Sequence, residues 1–127
     1  MIRFWIAAGA LSAASAVAMG AVSAHALAAF VSPMELELID MGVEYQLWHA
    51  LALISVGLAS AYFGNRRLLP LAGIAFILGT LGFSGGLYNL ALGGPIFLHP
   101  LVPIGGGFYI LGWLMLAAAA IFSPRTK

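Results

Sequence analysis

Apolar residues come in long uninterrupted runs, and the polar positions cluster at the breaks between them, a pattern that predicts four membrane-crossing helices. The first run, Phe4 to Val31, would extend roughly 40 Å at 1.5 Å per residue, against a hydrocarbon core of about 30 Å, so a tilted crossing or a projecting outer end is expected. Ser32-Pro33 stops it, because proline disfavours helical geometry in the residue before it. A short acidic segment, Glu35 to Asp40, follows outside the bilayer, and the second helix runs from about Val43 to Phe63. Gly64-Asn65-Arg66-Arg67 forms a tight turn, and the third helix runs from about Leu68 to Leu92 with Pro70 in its first turn. Gly93-Gly94-Pro95 ends that helix, and a fourth spans about Ile104 to Phe122. The expected helices are therefore 4–31, 43–63, 68–92 and 104–122, within one domain covering 1–127.

Charge adds direction. Arg3, Arg66, Arg67, Arg125 and Lys127 flank one end of these runs, and Glu35, Glu37, Asp40 and Glu44 the other. Lys and Arg stay on the cytoplasmic side of short-looped membrane proteins, so both termini are read as cytoplasmic, with the acidic loop 32–43 and the loop 93–103 periplasmic. Short connections make the fold class an all-α, up-down antiparallel bundle of four transmembrane helices. A secretory signal peptide is the competing reading of the start, since Val22-Ser23-Ala24 resembles a cleavage site, but the apolar run is far longer than the ~7–15 residues of a signal core. The outer connection, Pro95 to Pro103, keeps Ile96, Phe97, Leu98, Leu101 and Val102, and is expected to lie in the interface or over the bundle mouth.

Composition agrees: 63% hydrophobic against 7% charged residues is far from the roughly one-quarter charged residues of a soluble domain. The absence of cysteine excludes disulfides, thiolate metal sites and thiol catalysis, and no basic patch with interleaved aromatics points to nucleic acid. In lipid, helices associate where small residues let backbones approach. Ala10, Ala14, Ala18, Ala21 and His25 form one such stripe on the first helix, and Gly79, Gly82, Gly86, Asn89 and Gly93 another on the third.

Intramembrane polar groups are the candidate functional residues, since stranding them in lipid costs several kcal/mol. His25, His49, Ser84, Tyr88 and Asn89 gather toward the outer leaflet, while the inner half reads as almost wholly aliphatic. His25 and His49, at similar depth, either bond across helices to hold the bundle in register or join Glu44 in binding Zn, Cu or Fe, haem being a further variant. No HxxH or HExxH spacing supports the metal reading, and no metal or other cofactor is predicted. Tyr45, Trp48 and Tyr109 fit an outer aromatic belt and Trp5 an inner one. A proton or ion path calls for a titratable group near mid-membrane, and none is present; nor is there a serine, histidine and carboxylate order of a hydrolase.

Several stretches carry a resemblance. Met19-Gly20-Ala21-Val22-Ser23-Ala24-His25-Ala26-Leu27, Tyr45-Gln46-Leu47-Trp48-His49-Ala50-Leu51-Ala52-Leu53, Phe83-Ser84-Gly85-Gly86-Leu87-Tyr88, Pro103-Ile104-Gly105-Gly106-Gly107 and Gly112-Trp113 resemble the signatures of domain-of-unknown-function family 423. That family comprises small four-helix inner-membrane proteins of bacterial type, with relatives in mitochondria-bearing organisms. The resemblance covers nearly the whole chain and implies the fold, but brings no activity, substrate or catalytic residues. Ser23 stands where many relatives keep glycine, and the recurrent polar positions that match are His25, His49, Ser84 and Tyr88.

The expected function is that of a non-enzymatic inner-membrane protein, an accessory or assembly subunit or a homo-oligomer acting through helix–helix association. Its partners would be the lipid bilayer and other membrane subunits or further copies of itself. The alternatives are an outer-leaflet module binding a small molecule, lipid, metal or haem through His25 and His49, and an oligomeric pore or carrier. The aliphatic inner half makes a wet path through one protomer improbable.

Overall fold

The computed structural model describes residues 1–63 and 67–122. Its helices are α1 (Ile2–His25), α2 (Pro33–Phe63), α3 (Leu68–Gly79), α4 (Gly85–Ala91) and α5 (Leu101–Phe122), with 3₁₀ turns at Leu27–Ala29 and Ile96–Leu98. A π-helical segment, Thr80–Ser84, joins α3 to α4, so that Leu68–Ala91 acts as one crossing. Four stretches, Ile2–Ala29, Pro33–Phe63, Leu68–Ala91 and Ile96–Phe122, are long and apolar enough to cross a membrane. The predicted arginine turn at Gly64, Asn65 and Arg66 and the basic tail with Arg125 and Lys127 lie outside the described residues.

The acidic segment is not a loop. Ser32 and Glu35 form a reciprocal N-terminal cap: the Ser32 N–H donates to Glu35 Oε2 at 2.6 Å and the Glu35 N–H to Ser32 Oγ at 3.3 Å. With Pro33 at the first helical position, this starts α2 about ten residues before the predicted Val43. Ile39 and Gly42 of this extension are buried, while Glu37, Asp40 and Glu44 face outward. Serine three residues before glutamate carried that start signal, which composition masked.

Contact partners run in opposite chain directions along neighbouring crossings, which makes the bundle antiparallel. Between α1 and α2, Gly9 meets Ala50 and Ile54, Gly57 meets Ile6, and Gly20 meets Val43. Between the third crossing and α5, Gly112 meets Phe76, Gly79 meets Tyr109, Gly82 meets Gly105, and Gly86 meets Val102. The core joins Trp5, Leu53, Val56, Leu69, Phe76 and Tyr109. Trp5 and Tyr109 are 4% and 3% exposed, so neither belongs to an interfacial belt, whereas Trp48 is 48% exposed.

The two predicted small-residue stripes fare differently. Gly79, Gly82 and Gly86 face α5, as the contacts above show. On α1, however, Ala10, Ala14, Ala18, Ala21 and His25 are all exposed, and the buried face is instead Trp5, Gly9, Ala16 and Ser23, with Gly9 and Ser23 against α2. Alanine is so frequent on this helix that a ladder can be drawn down several faces. Gly9, where an added Cβ would fall 2.6 Å from the Ala50 carbonyl oxygen, and Ser23, whose hydroxyl donates to Asp40 Oδ1 at 3.1 Å, choose the face. The outer connection is not tucked over the bundle: Ile96 and Phe97 are each 78% exposed, leaving the interface reading of that segment.

Gly105 lies against the Phe83 backbone and leaves no room for a methyl group, whereas nothing lies within 4 Å of a Cβ on Gly107. Gly105→Ala should therefore destabilise the bundle by about 1–3 kcal/mol. Gly107→Ala should leave stability unchanged or raise it by up to ~1 kcal/mol from helix propensity, both read from reversible unfolding in bicelles.

Candidate functional site

Two polar networks bridge the helices, each built on a side chain that the bilayer would not tolerate unpaired. The first centres on Gln46 of α2, 8% exposed. Its amide nitrogen donates to the Ser12 carbonyl at 3.0 Å and to Ser15 Oγ at 2.7 Å, both on α1, and its oxygen accepts from Tyr88 OH of α4 at 2.8 Å. Tyr88 reaches this position by laying its ring over Gly42, where an added Cβ would fall 2.6 Å from Tyr88 Cε1. One amide thus ties three helices together.

The second centres on His49, 4% exposed. Its Nδ1 lies 2.6 Å from the Tyr45 carbonyl, and Trp113 Nε1 donates to its Nε2 at 3.2 Å. A carbonyl only accepts and an indole N–H only donates, so Nδ1 carries the proton and Nε2 a lone pair: the ring is neutral and its tautomer assigned. Its face stacks on Tyr109, centroids 3.4 Å apart at 10°. Tyr109 OH donates to Thr80 Oγ1 at 3.2 Å and lies 3.2 Å from Ser84 Oγ, which donates to it. These two partners sit at either end of the π segment, which widens the helix where Tyr109 enters. Beside this network, Tyr45, Trp48, His49, Phe83, Tyr109 and Trp113 help line a groove of about 620 Å³ between α2 and α5.

The predicted cluster is therefore divided. His49 and Ser84 meet through Tyr109; Tyr88 belongs to the glutamine network; Asn89 donates to the Pro95 carbonyl at 3.2 Å and anchors the outer connection. His25 is exposed at the end of α1 and joins neither network. A metal held by His25, His49 and Glu44 would require His49 to give up the Tyr45 or Trp113 bond, and His25 and Glu44 are both exposed. Among the described residues no three His, Asp or Glu side chains converge as metal ligands.

Gln46, Ser12, Ser15, Thr80 and Trp113 were not foreseen as partners. An amide inside an apolar helix was the available signal for Gln46. For Ser12 and Ser15 it was their three-residue spacing, which puts both on one face of α1. Their hydroxyls also extend the polar region to the middle of the bundle, deeper than the outer-leaflet placement predicted.

These features define an integral membrane protein of four antiparallel helices cross-linked by buried uncharged polar groups. A sequence profile described as "Protein of unknown function (DUF423)" matches residues 19–106, and the chain belongs to that family. The UPF0382 inner membrane protein YgdD of Escherichia coli is 34% identical over 126 residues, covering 97% of this chain and 93% of the relative. A UPF0382 membrane protein of Haemophilus influenzae is 36% identical over 108 residues, 85% of this chain and 86% of its own length. YwdK of Bacillus subtilis, also a UPF0382 membrane protein, is 32% identical over 120 residues, 94% and 98% respectively. No solved structure matches the chain.

Gln46→Leu removes three interhelical bonds and strands Tyr88 OH, so it should cost about 1–3 kcal/mol in bicelle unfolding. Ser55→Ala, which removes only a bond to Leu51 within its own helix, should stay within about 0.5 kcal/mol. Nitrogen-15 NMR of the His49 ring should show a protonated Nδ1 and an unprotonated Nε2, with Trp113→Phe shifting chiefly the latter.

Proposed function

We propose that this protein is a non-enzymatic accessory or assembly subunit of the bacterial inner membrane that lays α1 against a neighbouring transmembrane helix. One observation carries the reading: the exposed side of α1 presents Ala10, Ala14, Ala18 and Ala21 in a ladder, on the side away from its seam with α2. Bulky exposed residues flank that ladder on α1, Leu11, Val17 and Val22 among them, and cover much of α5, including Ile110, Leu114, Ile121 and Phe122. Without a hydrophobic drive between helices in lipid, close approach across small side chains is the main source of association energy, and large side chains suit acyl chains equally well. The His49 and Gln46 networks support the same reading, because their polar groups serve bonds inside the bundle.

Charge supports an orientation for this subunit. Arg3 and Arg67 lie at the end of the bundle opposite Glu35, Glu37, Asp40 and Glu44, which favours a cytoplasmic N-terminus and a periplasmic start of α2.

Native mass spectrometry from mild detergent should show a complex, with copies of the chain or with another subunit. Ala14→Leu combined with Ala18→Leu should weaken that complex at least tenfold while unfolding stability is retained. A strictly monomeric, partnerless protein, or a complex indifferent to these changes, would exclude the reading.

A further inference from the structure

A separate feature lies on another side of α1. A cavity of about 370 Å³ sits between α1, α2 and the third crossing, its lining including Ser12, Ser15, Gln46, Thr80, Leu11 and Leu81. We infer that it is a lateral binding site for an uncharged, carbonyl-bearing, lipid-like molecule.

Hydrogen-bond accounting defines the chemistry. Both amide protons of Gln46 are committed to α1, and its oxygen to Tyr88. Ser15 gives its proton to the Ser12 carbonyl at 2.8 Å. Thr80 Oγ1 accepts from Tyr109, and no described bond uses its own proton. Ser12 Oγ is buried with no hydrogen-bond partner. Thr80 thus keeps one uncommitted donor beside the cavity, Ser12 Oγ, sealed from it as it stands, is a second one rotamer away, and no acidic or basic residue lines the cavity. Hydroxyls without a countercharge disfavour an ionised carboxylate, phosphate or ammonium and suit a neutral acceptor, of which a carbonyl is the commonest in membrane-soluble molecules. A buried hydroxyl without a partner costs about 1–3 kcal/mol, so a carbonyl within reach draws Ser12 Oγ toward the cavity by a change between staggered rotamers.

Position defines the rest. Ser12 lies near the middle of α1, and Thr80 opens the π segment, a helical irregularity that recurs at binding sites. Exposed Leu11 (72%) and Leu81 (67%) flank the opening, so a molecule dissolved in the bilayer enters sideways without crossing water. The volume falls within the range of small-ligand sites, enough for a ring or ester head with its chain left in lipid.

Two membrane-soluble sources share this chemistry, an alkyl quinone and a glycerol ester, and binding separates them. The full chain in nanodiscs should retain radiolabelled decyl-benzoquinone or dioctanoylglycerol saturably above protein-free discs, and whichever saturates identifies the source. Decylcyclohexane, of similar shape but without a carbonyl, should only partition. Ser12→Ala with Thr80→Val, which removes both donors at nearly constant shape, should weaken binding about tenfold, as expected for two neutral hydrogen bonds. Ala8→Phe narrows the cavity from its rim and should abolish saturation without touching a hydroxyl. The site is disproved if neither carbonyl probe saturates, if the hydrocarbon binds as well, or if either variant keeps wild-type affinity.

Discussion

Aromatic rings seated on glycines lock the third crossing, Leu68–Ala91, to its neighbours, and the polar interior depends on that fit. Trp5 lies over Gly73, Tyr88 over Gly42, Tyr109 over Gly79 and Phe76 over Gly112, so the third crossing is keyed to α1, α2 and α5 by rings entering notches with no Cβ, while α1 and α2 meet through Gly9 and Gly57. In water, burial of apolar area would bring such helices together; in lipid the tails are as apolar as the side chains, and dispersion across a close-fitting surface has to supply the energy. A ring in a glycine notch maximises that contact. It also sets register, because a shift by one residue would drive the ring against a side chain.

Register in turn makes the polar interior affordable. With Tyr88 held over Gly42, its hydroxyl reaches Gln46; with Tyr109 held over Gly79, its ring faces His49 and its hydroxyl reaches Thr80 and Ser84. Each network is uncharged, so no ionised group has to be taken out of water, and what remains is a set of neutral bonds worth about 1 kcal/mol or less apiece in a membrane. Their contribution is specificity more than strength. The π segment belongs to the same arrangement: it widens the third crossing where Tyr109 enters, and leaves Thr80 between the His49 network on one side and the cavity of α1 on the other.

The number of crossings and the fold class were legible from the chain, because the bilayer imposes a minimum apolar length and compels internal backbone pairing. The glycines of the third crossing were legible too, since glycine is informative where small residues are otherwise few. The acidic start of α2 carries the charge of a loop, while the Ser32–Glu35 cap and the buried Ile39 and Gly42 make it helix. The alanine ladder of α1 lies on its exposed side, and alanine, abundant on every face, carries no direction.

The candidate site shows the same division. Polarity within apolar helices marked His49, Ser84 and Tyr88 as residues that must find partners, and that followed from one-dimensional information, since the cost of an unpaired group in lipid does not depend on the fold. Which partner each finds does depend on it. Trp113 lies 64 positions from His49 and Gln46 31 from Ser15, distances along the chain that no periodicity spans. By itself the sequence determined that this chain is a four-helix membrane bundle with buried polar groups, because hydrophobic length and the penalty for unpaired polarity act residue by residue. Only the tertiary structure decided which face of α1 is the seam, which nitrogen of His49 carries the proton and which hydroxyls border a cavity, because those depend on where helices far apart in sequence touch.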